Sequence, residues 1–187
     1  ACRSIRAHGW IRERSDAQAW RDRFPHLDDR FLFITPGFNL RMTEVSGAFG
    51  IHQVPRLDGF LAQRRKNHKN WCEMVQELRL PIQVFPEQPG TFHAAFAFPI
   101  LVDEDSPIDR TQLCSFLEQK GIQTRPISGA NLSMQPMFSK IPRVQIDGEL
   151  PVADAVQRRG FFVGQSHCFS QAHGTLLINA LRAAFTV

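Results

Sequence analysis

The stretch Thr91-Phe92-His93-Ala94-Ala95-Phe96-Ala97-Phe98-Pro99-Ile100-Leu101-Val102 decides the fold class. Phe92, Phe96, Phe98 and Ile100 fall at even spacing, so one face of an extended chain is apolar, as in a strand lying on a core. Asp105-Ser106-Pro107 then makes a turn, and Asp109 or Ser106 is placed to cap a helix with Leu113, Phe116 and Leu117 as its buried stripe. Gly121 ends that helix, and Ile122–Ile127 reads as a second strand. Strand, helix and strand in this order predict an α/β lobe with helices packed on one face of a sheet.

The pattern continues to the end of the chain. Ser128–Pro136 is polar and loop-like, Ala153–Arg159 reads as a short helix and Gly160–Gly164 as a strand. Ser170–Phe185 is a last helix with Leu176, Leu177, Ala180, Leu181 and Ala184 on its apolar side. Phe92, Phe96, Phe98, Phe161 and Phe162 are expected in the core. Upstream, Pro81, Pro86, Pro89 and Gly90 punctuate the chain after Leu80. Before them, Leu57, Phe60, Leu61, Arg64, His68, Trp71, Cys72, Val75 and Leu78 keep a helical period, with Pro55 suited to the first turn. Thr43 is placed to cap a preceding helix that carries Val45, Ala48, Phe49 and His52 on one face. Small Gly47, Ala48 and Gly50 there would permit close packing against another helix or subunit. Ser15–Arg23 reads as a helix capped by Ser15, and Phe31–Ile34 as a short strand. The expected division falls near Leu78, giving segments 1–78 and 79–187, the first too thin to be a complete domain.

Composition narrows the function. Of 187 residues, 43% are hydrophobic, enough to build a core and to set disorder aside. The net charge of +4 comes from arginine, only Lys66, Lys69, Lys120 and Lys140 being lysines. That charge suits an anionic substrate, whereas nucleic-acid binding would call for a recognition motif that is not evident. Cys2, Cys72, Cys114 and Cys168 are too widely spaced for a structural zinc site, so no metal is expected. No apolar run approaches a membrane span, and the first residues lack the centre of a signal peptide, so a cytoplasmic protein with reduced thiols is expected.

Gly37-Phe38-Asn39-Leu40-Arg41-Met42-Thr43-Glu44 places an Asn and an Arg two residues apart, just before a helix, as two polar hands for an anion. This run resembles the G-(F/Y)-N-x-R-M-(S/T)-E signature of the DegT/DnrJ/EryC1/StrS family of pyridoxal-phosphate (PLP) nucleotide-sugar aminotransferases. Other pieces are similar to family segments in the same order. They are Arg3-Ser4-Ile5-Arg6-Ala7-His8-Gly9, Gln53–Arg65 and Gly121-Ile122-Gln123-Thr124-Arg125-Pro126. Two more resemble its 3-dehydratase branch: Ser128-Gly129-Ala130-Asn131-Leu132 with Gln135-Pro136, and Arg159-Gly160-Phe161-Phe162-Val163-Gly164 with His167. The first carries an extra Ala130, and Ser166-His167 stands where that branch has a His pair.

The resemblance implies the C-terminal portion of a fold-type I PLP-dependent transferase: the tail of the large domain, an interface loop, a connecting helix and a small α/β domain. It implies PLP or PMP as an electron sink in the complete enzyme, a homodimer, a nucleotide-linked keto-sugar as substrate and an N-terminal half of the same enzyme. Asn39 and Arg41 would hold the cofactor phosphate across the subunit interface. Arg125, Ser128, Asn131 and His167 would face the substrate, a diphosphate being well matched to guanidinium donors. The family's imine-forming position lies upstream of Ala1, so no catalytic residue is assigned, and the 187-residue chain alone is expected to be silent. Amination of the sugar is the leading expectation and PMP-dependent 3-dehydration the alternative. A non-catalytic binding or dimerisation module is a further reading. Set against these roles, Asn39 would be a turn residue, Arg41 and Arg125 surface charges, Ser128 and Asn131 turn formers, and His167 a packed ring.

Overall fold

The computed structural model describes residues 2–12, 14–40, 42–127, 130–136 and 145–186. The chain forms two compact units, residues 1–56 and 57–187. The expected division near Leu78 thus falls inside the second unit, because the helix that ends there is part of that unit's core.

Among the described residues, the first unit holds three α-helices, α1 (Cys2–Ile5), α2 (Ala17–Arg23) and α3 (Glu44–Gln53). Ile11, Ala17 and Leu32 form a small core, with Trp20, Phe24 and Ile34 packed against it. The cap of α2 is Asp16 rather than Ser15, and its side chain makes no capping bond. Arg14 and the Trp20 indole N–H occupy its carboxylate instead. The expected strand at Phe31–Ile34 reduces to a single bridge between Trp10 and Phe33, because Asp28 caps a 3-10 turn over Asp29–Phe31. Thr43 does cap α3, its hydroxyl accepting from the Ser46 N–H at 3.3 Å. The face carrying Val45 and Phe49 stands open: they are 68% and 70% exposed, and no residue of α3 is buried.

Among the described residues of the second unit, α4 (Leu57–Leu78) leads to a four-stranded sheet and three further α-helices. The strands are β1 (Ile82–Val84), β2 (Ala97–Val102), β3 (Thr124–Pro126) and β4 (Gly160–Gly164). Their order is β1-β2-β4-β3, with every neighbouring pair antiparallel. Phe98 pairs with Val163 and Ile100 with Phe161, which puts all four side chains on the buried face. The helices are α5 (Arg110–Gln119), α6 (Pro151–Arg159) and α7 (Gln171–Ala184). Trp71, Cys72 and Val75 of α4, Leu113 and Leu117 of α5, and Leu177 and Leu181 of α7 complete the core. Each such side chain stabilises the unit by about 1.5–3 kcal/mol on burial. Contact is closest between α4 and α7 at Gly174, where a Cβ would lie 2.5 Å from the Trp71 indole nitrogen.

Local signals explain the elements. Asp109 and Gln112 form a reciprocal capping box on α5, and Gly121 follows with φ of +79°. Pro151 opens α6. β1 lacked a sequence expectation because Pro81 and Pro86 flank it; as a three-residue edge strand it tolerates both. Phe98 and Phe161 are core as expected, but Phe92 and Phe96 are 65% and 71% exposed. Regular pairing starts only at Ala97, so the even spacing before it has no sheet to act on. Phe162 points to the face opposite Phe161 and Val163 and is half-buried. Cys114 is likewise half-buried and packs at the edge of the core.

Candidate functional site

Within the first unit, the motif loop 37–40 is locked to the segment at residues 5–9. The Phe38 N–H donates to the Ile5 carbonyl at 2.7 Å, the His8 N–H to the Phe38 carbonyl at 3.0 Å, and the Leu40 N–H to the Arg6 carbonyl at 2.9 Å. Ala7 and Asn39 form an antiparallel bridge. Glycine is required at position 37, because a Cβ there would lie 2.3 Å from the Gly9 nitrogen and 2.7 Å from the Ile5 carbonyl oxygen. The two stretches that resemble one family thus meet in space. Asn39 is exposed on this fixed backbone, and its side-chain amide makes no hydrogen bond among the described residues. Arg41 lies outside the described residues.

A polar stripe on α4 organises the second unit. Phe60, Arg64, Asn67 and Trp71 recur at helical spacing, and each touches the segment at residues 165–169 after β4. The Phe60 ring stacks on His167 with centroids 3.9 Å apart. Arg64 Nη1 donates to the carbonyls of Gln165 (2.7 Å) and Ala95 (2.9 Å). Asn67 Nδ2 donates to the carbonyls of Ser166 and Phe169, both at 3.0 Å. Trp71 stacks on Phe169 at 6.1 Å. Beside them Arg65 forms a bidentate pair with Glu87, with its guanidinium 4.3 Å above the Phe92 ring. Hydrogen bonding to Arg65 holds the Glu87 carboxyl below its ordinary range. His68 is buried, with Nε2 2.9 Å from the Phe85 carbonyl. A carbonyl oxygen only accepts, so Nε2 carries a proton. Nδ1 lies 3.3 Å from the Gln165 side-chain amide.

The residues expected to face the substrate are dispersed. His167 is half-buried; its Nδ1 is shielded with no hydrogen-bond partner among the described residues, and its Nε2 lies 3.2 Å from Cys168 Sγ. The amide of Asn131 is engaged within the chain. It donates to Asp154 at 2.6 Å and accepts from the Ser133 N–H and hydroxyl, so it shapes its own loop. Ser128 lies outside the described residues. Arg125 is exposed on β3 opposite Phe162, without a hydrogen bond or ion pair among the described residues. It borders a cavity of about 470 Å³ that Phe96, Phe162, Phe169 and His173 also line. From sequence, Arg64 is only one member of the helical period and Asn67 is not singled out; the detectable signal was their spacing with Phe60 and Trp71.

Two features bear on chemistry. No cluster of three potential metal ligands exists among the described residues. The cysteines are unpaired, and burial pushes the Cys72 thiol up to about 11, so it is an inert core group. No helix among the described residues is long and apolar enough to cross a membrane.

Comparison with known proteins agrees with this picture. The model of the DegT/DnrJ/EryC1/StrS aminotransferase family matches residues 1–182. GDP-4-keto-6-deoxy-D-mannose 3-dehydratase of Yersinia pseudotuberculosis is 33% identical over 162 residues, which is 86% of this chain and 40% of that protein. The dTDP-4-amino-4,6-dideoxy-D-glucose transaminase of Escherichia coli is 27% identical over 130 residues, 70% of this chain and 34% of that protein. Among solved structures, E. coli GDP-4-keto-6-deoxy-D-mannose-3-dehydratase with bound hydrated PLP has a TM-score of 0.78 at 28% identity, over 97% of this chain and 45% of that one. The chain therefore spans a little under half the length of the relatives it matches and shares the fold of that portion.

Proposed function

The chain belongs to the DegT/DnrJ/EryC1/StrS aminotransferase family, and from that we propose that it is part of a PLP- or PMP-dependent enzyme acting on a keto-sugar linked to a nucleoside diphosphate. The observation that carries the reading is Asn39: an exposed amide without a partner in the chain, on a backbone fixed by three hydrogen bonds to residues 5–8. Such a group meets a ligand oxygen at little ordering cost. The donor set fits a phosphate, since Asn39 offers an N–H and no carboxylate is bonded to it. When bound, the cofactor supplies an electron sink for loss of a proton or a hydroxyl from the sugar. Asn39 would donate to its phosphate, with Arg41 as the second hand. Arg125 would give paired N–H donors to the substrate diphosphate. Asn131 would act by holding its own loop, and His167 by presenting a packed ring on the substrate side. Ser128 would add a hydroxyl there.

Amination is the leading reaction on family grounds. Dehydration at C3 is a second reading, favoured by one specific observation. Three 3-dehydratases match at 30–33% identity over 75–86% of this chain, whereas GDP-perosamine synthase of Vibrio cholerae matches at 33% over only 48% of it and the E. coli transaminase at 27%. The open face of α3 supports a homodimer, a second copy covering Val45 and Phe49. The test is to incubate the complete enzyme with PLP, an amino donor and a GDP- or dTDP-linked 4-keto-sugar. An amino-sugar product supports transamination, a 3-deoxy product supports dehydration, and neither product with any nucleotide sugar refutes the proposal.

A further inference from the structure

Asp-Gly occurs twice in the chain, at Asp58-Gly59 and at Asp147-Gly148. We propose that Asp147 is a site of spontaneous covalent modification, closing with Gly148 to a cyclic imide and reopening as isoaspartate, while Asp58 is protected by its helix. Both aspartates are exposed, so exposure does not separate them. The backbone does. Ring closure requires rotation about ψ of the aspartate until the next peptide nitrogen reaches its Cγ. Asp58 lies in the first turn of α4, where helical geometry holds ψ at about −42° and keeps the Gly59 nitrogen away. Residues 145–149 lie outside any helix or strand, are all exposed and make no hydrogen bond among the described residues. Gly148 has φ of +72° and open space where a Cβ would stand. No side chain on it crowds the nitrogen or restrains the rotation. Asp105-Ser106 is an intermediate case: there the Ser106 N–H donates to the Asp103 carbonyl at 3.3 Å, and a side chain flanks the nitrogen.

No co-reactant beyond water is needed. The Gly148 nitrogen attacks the Asp147 Cγ, the new N–C bond forms, and the carboxyl hydroxyl leaves with the amide proton as water. Water then opens the five-membered ring. Attack at Cγ restores aspartate. Attack at the main-chain carbonyl of Asp147 breaks its bond to the Gly148 nitrogen and leaves the chain running through the side chain. Nothing is oxidised or reduced, and the mass is unchanged. Isoaspartate lengthens the main chain by a methylene and leaves a free α-carboxylate beside Gly148. The change falls just ahead of α6, where the Leu150 carbonyl accepts from the Asp154 N–H at 2.9 Å and Asp154 holds the Asn131 amide at 2.6 Å. Modification therefore loosens the anchor of the loop that Asn131 shapes.

The experiment ages the complete enzyme at neutral pH for several weeks, then maps isoaspartate by peptide chromatography and electron-transfer fragmentation. Asp147 should convert on the order of tenfold faster than Asp58, whose helix opens only rarely, and faster than Asp105. In urea, where α4 is unfolded, Asp58 should approach the Asp147 rate. Asp147→Asn should speed isoaspartate formation, with ammonia leaving in place of water. Gly148→Ala should slow it several-fold, circular dichroism showing that both variants are folded. The isoaspartyl form should also exchange its Asp154 amide faster than the unmodified protein. Conversion at Asp147 no faster than at Asp58 in the folded enzyme would overturn the proposal, as would a Gly148→Ala rate equal to that of the wild type. Equal exchange at Asp154 would overturn the link to α6.

Discussion

His93 shows what a single side chain contributes in this fold. Desolvation and the neighbouring His68, whose ring centroid is 4.6 Å away, lower its pKa, while Glu87 acts in the opposite sense. The faces around it carry Arg65 and Glu87 as well as His68. A base whose folded pKa is depressed favours folding in its neutral form. That stability is fully present above the ordinary histidine value, about 6.5. It is lost as pH falls through the lower folded value. Histidine NMR should therefore show His93 titrating below the usual midpoint. His93→Gln should flatten the acid limb of the stability–pH curve between pH 6.5 and its folded pKa; an unchanged limb would contradict the assignment.

At the scale of elements, α4 is the organiser. Asn67 satisfies two carbonyls of the 165–169 segment, and Arg64 satisfies two more in 95 and 165. Asn67→Ala leaves both of its acceptors without that donor, a loss of about 2 kcal/mol. Urea unfolding should show the drop, and amide exchange should quicken at residues 166–169 ahead of the sheet. Equal protection in the variant would mean that α4 does not hold that segment. The same helix shows the reach of sequence reading. Its apolar period was legible because Trp71, Cys72 and Val75 obey local geometry. So were the α5 cap at Asp109, the stop at Gly121 and the strand at Gly160–Gly164. The polar partners of Arg64 and Asn67 were not, since they lie 31 residues away at Ala95 and about a hundred away in the 165–169 segment. β1 was hidden by its prolines, and Phe96 was placed in the core because alternation alone cannot say where pairing begins.

At the scale of the molecule, the family motifs carried more than periodicity could. Periodicity predicted an α/β lobe, and the motifs added a cofactor and a substrate class. Asn39 in the first unit and Arg125 in the second are exposed polar groups in motif positions, whereas the internal bonding of Asn131 became visible only with Asp154 and Ser133 beside it. The open face of α3 yields a prediction at this scale. On the proposed homodimer, Phe49→Glu places a charge on the apolar face beside Val45 and should shift the complete enzyme from dimer to monomer in sedimentation velocity. A dimer of unchanged stability, or a wild-type protein that is already monomeric, would contradict this face as an interface between copies. The most direct measurement concerns Asn39: the dissociation constant for PLP in the complete enzyme, compared with that of Asn39→Ala. A lost hydrogen bond to a charged phosphate is worth about 1.5–3 kcal/mol, so the variant should bind PLP on the order of tenfold to a hundredfold more weakly at unchanged melting temperature. Equal affinity in the two proteins would contradict the account.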